Sequence, residues 1–129
     1  MRNGKVVIKS ANLPPPGGPY SPAIRAGGFV FVSGQAAVDS QTGQVVGSTI
    51  EEQTERALEN VKAIVAAAGA SLEDVVRVTV YLAEINNFSR MNEVYKRYFS
   101  REPPARTTVE ARLARAELLV EIDAVAYKP

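Results

Sequence analysis

Between Pro103 and Tyr127 the chain reads PPARTTVEARLARAELLVEIDAVAY, and no other stretch restricts the fold as much. Apolar and polar residues alternate on both sides of Ala114–Glu117, which is the period of a β-strand. In the first half Thr107, Val109, Ala111 and Leu113 share one face, and Arg106, Thr108, Glu110 and Arg112 share the other. In the second half Leu118, Val120, Ile122, Ala124 and Ala126 form an unbroken apolar face, opposite Leu119, Glu121, Asp123, Val125 and Tyr127. The pattern predicts two strands joined by a short link. It also predicts that Arg106 and Glu121 both point away from the face that packs on helices. A face mixing Leu, Val and Tyr with Arg and acids is too apolar to be fully wet and too charged for a core. That mixture suits a subunit interface or a ligand site.

The rest of the chain supplies the layers this sheet needs. Lys5–Lys9 is a short strand, and Asn12–Tyr20 (NLPPPGGPY) is a loop that prolines and glycines keep out of regular structure. Tyr20 at its end reads either as a cleft hydroxyl or as a ring packed on its own loop. Phe29–Ser33 is a strand that follows the Gly27-Gly28 turn and ends at Ser33-Gly34-Gln35, where Gly34 permits close approach of a ligand to the backbone. Ser33 has no base beside it in sequence, so it reads as a hydrogen-bonding hydroxyl rather than a nucleophile. Asp39–Gly43 is a turn leading to a short strand near Gln44–Val46.

Thr49–Ala68 predicts a long helix. Either Thr49 with Glu52 or Ser48 with Glu51 closes a capping box at its start. Its stripe of Ile50, Ala57, Leu58, Val61, Ile64, Val65 and Ala68 is core, and Gly69 stops it. Val75–Leu82 is a strand with Val76, Val78, Val80 and Leu82 on the covered side and Arg77, Thr79 and Tyr81 on the other. Asn87–Phe99 is a second helix, capped by Asn86 or Asn87, packing through Phe88, Met91, Val94, Tyr95, Tyr98 and Phe99. Asn92 lies beside that aromatic face, either tethering a loop or serving a site. Arg101–Pro104 breaks the helix. The order predicts an α+β fold: one mixed sheet covered on a single face by two helices, in one domain spanning residues 1–129. The uncovered face asks for a partner, hence a symmetric homo-oligomer.

Composition removes several chemistries. The 129 residues include neither cysteine nor histidine. There is thus no disulfide, no thiolate nucleophile, and neither the usual general base nor the commonest metal ligand. The formal charge is +1, so nothing here favours nucleic acid. There is no apolar leader and no run long enough to span a bilayer, which makes a cytoplasmic location the expectation.

Six short pieces, in this order and spacing, resemble the RidA/YjgF family, known in older naming as the L-PSP endoribonuclease family. They are Gly18-Pro19-Tyr20-Ser21, Val32-Ser33-Gly34-Gln35, Asn60-Val61-Lys62-Ala63-Ile64, Met91-Asn92-Glu93-Val94-Tyr95, Pro104-Ala105-Arg106-Thr107-Thr108-Val109 and Val120-Glu121-Ile122-Asp123-Ala124. The resemblance implies a chorismate-mutase-like fold and a homotrimer whose sheets meet in a central barrel, with ligand clefts between subunits. It implies a deaminase that hydrolyses 2-iminobutanoate and 2-iminopropanoate to 2-keto acids and ammonia without metal or organic cofactor. Arg106 then binds the carboxylate and Glu121 orients or deprotonates water. Tyr20, Ser33, Gly34, Asn92 and Thr108 line the cleft. Many members carry cysteine where this chain has Thr108; a role through the backbone carbonyl tolerates threonine. The alternatives are a regulator that binds 2-keto acids without turnover, an endoribonuclease, and a purely structural trimer.

Overall fold

The computed structural model describes residues 4–129. Six strands form one mixed sheet: β1 (Lys5–Val7), β2 (Ala23–Ala26), β3 (Phe29–Ala36), β4 (Val75–Leu82), β5 (Ala105–Glu110) and β6 (Val120–Tyr127), in the order β1-β2-β3-β6-β4-β5. Helix α1 (Ile50–Ala67) joins β3 to β4, and α2 (Phe88–Tyr98) joins β4 to β5. Only β4 and β5 pair in parallel; every other neighbouring pair is antiparallel. Both helices pack on one face, so the fold is α+β.

The core follows from the apolar alternation of β6. Val120, Ile122, Ala124 and Ala126 are fully buried, and Leu118 just ahead of the strand is buried with them. Val30 and Val32 of β3 and Val78, Val80 and Leu82 of β4 flank them on the same face, beneath Leu58, Val61, Ile64 and Val65 of α1. Each Val, Leu or Ile among them contributes about 1.5–3 kcal/mol on burial. Of the two possible caps, Thr49–Glu52 closes the box: Thr49 Oγ1 accepts from the Glu52 amide at 3.1 Å and Glu52 Oε1 accepts from the Thr49 amide at 3.2 Å. Gly69, with φ of 86°, ends the helix in a conformation that L side chains resist.

Several boundaries differ from the expectation. The strand placed near Gln44–Val46 is only an isolated bridge from Val45 to Val38, while Ala23–Ala26, too short and mixed to show a period, is a true strand. Strand β3 runs on past Ser33 to Ala36, with its register against β6 shifting between Val32 and Gln35. In β4 an irregularity between Val75 and Arg77 turns Val75 into the core and leaves Val76 47% exposed, the reverse of the predicted phase. Strand β5 stops at Glu110, so Ala111 and Leu113 are outside it, and β4 separates it from β6. Asn87 occupies the cap of α2 without a side-chain capping bond, because a short 3-10 turn, Ile85–Asn87, leads into the helix.

The opposite sheet face carries no helix. On it Phe29, Phe31, Val109 and Tyr127 are exposed, and Thr79, Tyr81, Asp123 and Val125 are half-buried.

Candidate functional site

Two hollows hold most of the candidate residues, and they share no lining residue. The first, of about 430 Å³, is lined by Tyr20, Ser33, Gly34, Gln35 and Glu121 together with Pro14, Pro15, Pro16, Ala114 and Leu118. The second, of about 410 Å³, is lined by Asn92, Tyr95, Phe99, Pro103, Pro104 and Arg106.

The first hollow is built on the irregularity in β3. Ser33 donates its hydroxyl to the Ser21 carbonyl at 2.6 Å, and its amide donates to the Pro22 carbonyl at 3.0 Å. Its hydroxyl is therefore engaged as a donor, as expected of a serine without a base. The Glu121 carboxylate lies over Gly34: a Cβ there would come within 2.1 Å of Glu121 Oε2. Any side chain at that position displaces the carboxylate, so glycine is a steric requirement of the site. Burial, followed by the nearby Asp123 charge, raises the Glu121 carboxyl above the ordinary carboxylate range. Asp123 is itself fixed by the Tyr81 hydroxyl, which donates to it at 2.9 Å. Tyr20 sits at the rim, half-exposed, its hydroxyl accepting from the Gly17 amide at 3.0 Å. Both readings of Tyr20 thus describe the same residue, which is tied to its own loop and lines the hollow.

The second hollow is built on the parallel pairing of β4 and β5. Arg106 pairs with Val78, whose side chain is buried beneath the helices, so Arg106 points to the helix side. There its guanidinium stacks 4.6 Å from the Tyr95 ring centroid and 5.6 Å from that of Phe88. No carboxylate lies within ion-pair reach of it among the described residues. Asn92 lines the same hollow, half-buried, and its side chain makes no hydrogen bond to another described residue, which does not support the loop-tether reading. Thr108 lies two residues along β5 on the same face as Arg106, half-buried, opposite Val80. The Tyr95 hydroxyl is buried without a well-formed hydrogen bond; burial raises its pKa, and the Arg106 guanidinium beside it opposes that rise.

The expected common face of Arg106 and Glu121 is therefore corrected. Glu121 pairs with Tyr81 on the uncovered face, and Arg106 with Val78 on the covered one. The error has a physical source. Strand β5 lies at the sheet edge, where Thr107 and Val109 face the open side and the polar Arg106 slides under α2 instead. Alternation in sequence reports two faces but does not say which one a helix covers. Reading by periodicity also missed the proline run, Leu118 and Tyr95 as parts of these hollows and Phe88 as a ring beneath Arg106; the only signal was a proline run and an aromatic stripe, each ordinary for loop and core. Among the described residues no group of acidic side chains is placed to hold a metal, and no helix is long and apolar enough to cross a membrane.

Comparison with known proteins matches residues 10–128 to the family model described as Endoribonuclease L-PSP. A RutC family protein of Pyrococcus abyssi is 52% identical over 124 residues, covering 96% of this chain and 98% of that protein. The human 2-iminobutanoate/2-iminopropanoate deaminase is 39% identical over 122 residues, covering 95% and 89% respectively. The crystal structure of Escherichia coli TdcF with bound serine superposes with a TM-score of 0.89 at 36% identity, covering 96% of this chain and 99% of that one.

Proposed function

The chain belongs to the RidA/YjgF family, described by its model as Endoribonuclease L-PSP, and from that premise we propose that it is a 2-imino acid deaminase acting on 2-iminobutanoate and 2-iminopropanoate. The observation that carries this reading is a pair of half-sites. Arg106 offers an unpaired guanidinium fork stacked on aromatic rings, and Glu121 offers a carboxyl of raised pKa over a bare backbone. They lie on opposite faces of one chain. A second copy brings them together, so that Arg106 of one copy faces Glu121 of the next. The homotrimer is part of the same proposal: Phe29, Phe31, Val109 and Tyr127 make an apolar surface that a neighbour would cover.

The chemistry then needs little else. The guanidinium holds the substrate carboxylate in a bidentate pair. The iminium carbon is already electrophilic. Glu121 takes a proton from water as the oxygen adds to that carbon, giving a carbinolamine. Glu121 returns that proton to nitrogen and takes the hydroxyl proton as the C–N bond breaks and the C=O bond forms, so that ammonia and a 2-keto acid leave. A raised carboxyl pKa suits this base, since its proton affinity then lies closer to working pH. Tyr20, Ser33, Gly34, Asn92 and Thr108 shape the cleft, Thr108 through its backbone carbonyl towards the imine nitrogen, so that threonine serves where many members have cysteine. No organic cofactor enters the balance.

The test is clearance of 2-iminopropanoate or 2-iminobutanoate formed in situ by a dehydratase. The chain is expected to accelerate it, and Arg106→Ala to lose that acceleration; full activity in Arg106→Ala overturns the assignment. A second reading, a metabolite-binding regulator, draws on the serine held by TdcF. Tight 2-keto acid binding with no acceleration of any imine favours it. The family model's ribonuclease name would be supported only by RNA cleavage that is lost with a cleft substitution.

A further inference from the structure

The hollow around Glu121 has an unlike lining: Ser33 and Glu121 are polar, whereas Pro14, Pro15, Pro16 and Leu118 are apolar. At about 430 Å³ it is far larger than a three-carbon acid requires; volumes of roughly 300–1,000 Å³ hold ligands several times that size. The apolar wall is stiff. Each proline fixes its own φ, and Leu13 and Pro14 are buried, anchoring the run to the core. Leu118 is anchored too, at 5% exposure, by the segment entering β6. Gln53, itself fully buried, holds that segment: its amide donates to the Glu117 carbonyl at 2.9 Å and accepts from the Leu119 amide at 2.8 Å. A preformed apolar wall loses little entropy when a ligand packs on it.

Charge restricts the occupant further. Glu121 is the only ionisable acid or base among the lining residues apart from the Tyr20 phenol. With the neighbour's Arg106 taken by the first carboxylate, a second one would lose its water, find no cation among these lining residues and face Glu121. We infer that the proline wall with Leu118 is a side-chain pocket that selects 2-imino and 2-keto acids with a branched apolar side chain of leucine size and rejects those with an acidic side chain. This rests on the reading above in placing the reacting carbon near Glu121, and adds which side chain the site takes.

Stable 2-keto acids test it without turnover. Titration calorimetry of the full chain with pyruvate, 4-methyl-2-oxopentanoate and 2-oxoglutarate should give at least about tenfold tighter binding of the branched acid than of pyruvate, since even one added methylene in an apolar pocket is worth about that much. 2-Oxoglutarate should bind at least about tenfold more weakly than the branched acid. Pro15 is exposed, and Pro15→Lys should narrow the gap between the branched and acidic ligands. In parallel, imines made in situ from alanine and leucine by an amino acid oxidase report turnover. Equal binding of all three acids, or pyruvate tightest, overturns this inference and leaves the deaminase reading intact if imines are still cleared. The expected order with no clearance keeps the pocket and retires the hydrolase. No binding and no clearance overturn both.

Discussion

The Arg106 half and the Glu121 half are held by different means. Arg106 is held by what surrounds it: two aromatic faces from α2 and the buried Val78 beside it in the sheet. Glu121 is held by what is missing beneath it, since only glycine at position 34 leaves room for its carboxylate. One half is a cation stabilised by stacking and open to an anion. The other is an acid that burial makes reluctant to ionise. The contrast teaches that the two groups have separate supports on opposite faces, so that under the proposed function the binding group and the reactive group would be paired only by assembly.

That difference can be broken most severely at Glu121. Glu121→Gln is expected to lower kcat about 100-fold or more with little change in 2-keto acid affinity by calorimetry. The same variant should be more thermostable at neutral pH. A carboxyl whose pKa is raised by folding favours the fold while protonated and opposes it once pH exceeds its folded value, so the penalty is present at pH 7 and absent in acid. The Tm gap should therefore close as pH falls through the ordinary carboxylate range. A Tm gap independent of pH would contradict the burial argument.

Arg106→Lys should come next, costing about tenfold to 100-fold, chiefly in KM, because a point charge replaces a bidentate fork stacked on Tyr95. An unchanged KM would show that the stacked fork is not what binds. Gly34→Ala should follow, reducing kcat more than it reduces Tm, because the obstructed atom is the tip of a flexible carboxylate rather than backbone. Smaller again is Asp123→Asn, which removes the second cause of the raised Glu121 pKa and should move the acid limb of the pH–rate profile to lower pH. Smallest is Tyr95→Phe. Deleting a buried hydroxyl without a partner should leave Tm unchanged or slightly raised, while the ring under Arg106 is kept and KM moves little.

Much of this was legible before any coordinates. The apolar face of β6, the stripe and capping box of α1 and the single covered face all follow from local periods. The residues of both halves were named from six short pieces of sequence. What escaped were features that depend on neighbours. The short strand Ala23–Ala26 owes its existence to flanking strands β1 and β3. The phase of β4 flips at Val75 because of an irregularity in its pairing with β6. The proline wall becomes a surface of the site only because the loop folds back beside Ser33 and Leu118.

By itself, then, the sequence determined which side chains alternate, where helices begin and end, and which chemistries a chain without cysteine or histidine can perform, because those depend on spacing and residue type alone. Only the tertiary structure decided that Arg106 and Glu121 face opposite ways. The reason is the parallel placement of β5 at the sheet edge beside β4: pairing fixes which face of a strand meets a helix, and pairing partners lie far apart in the chain.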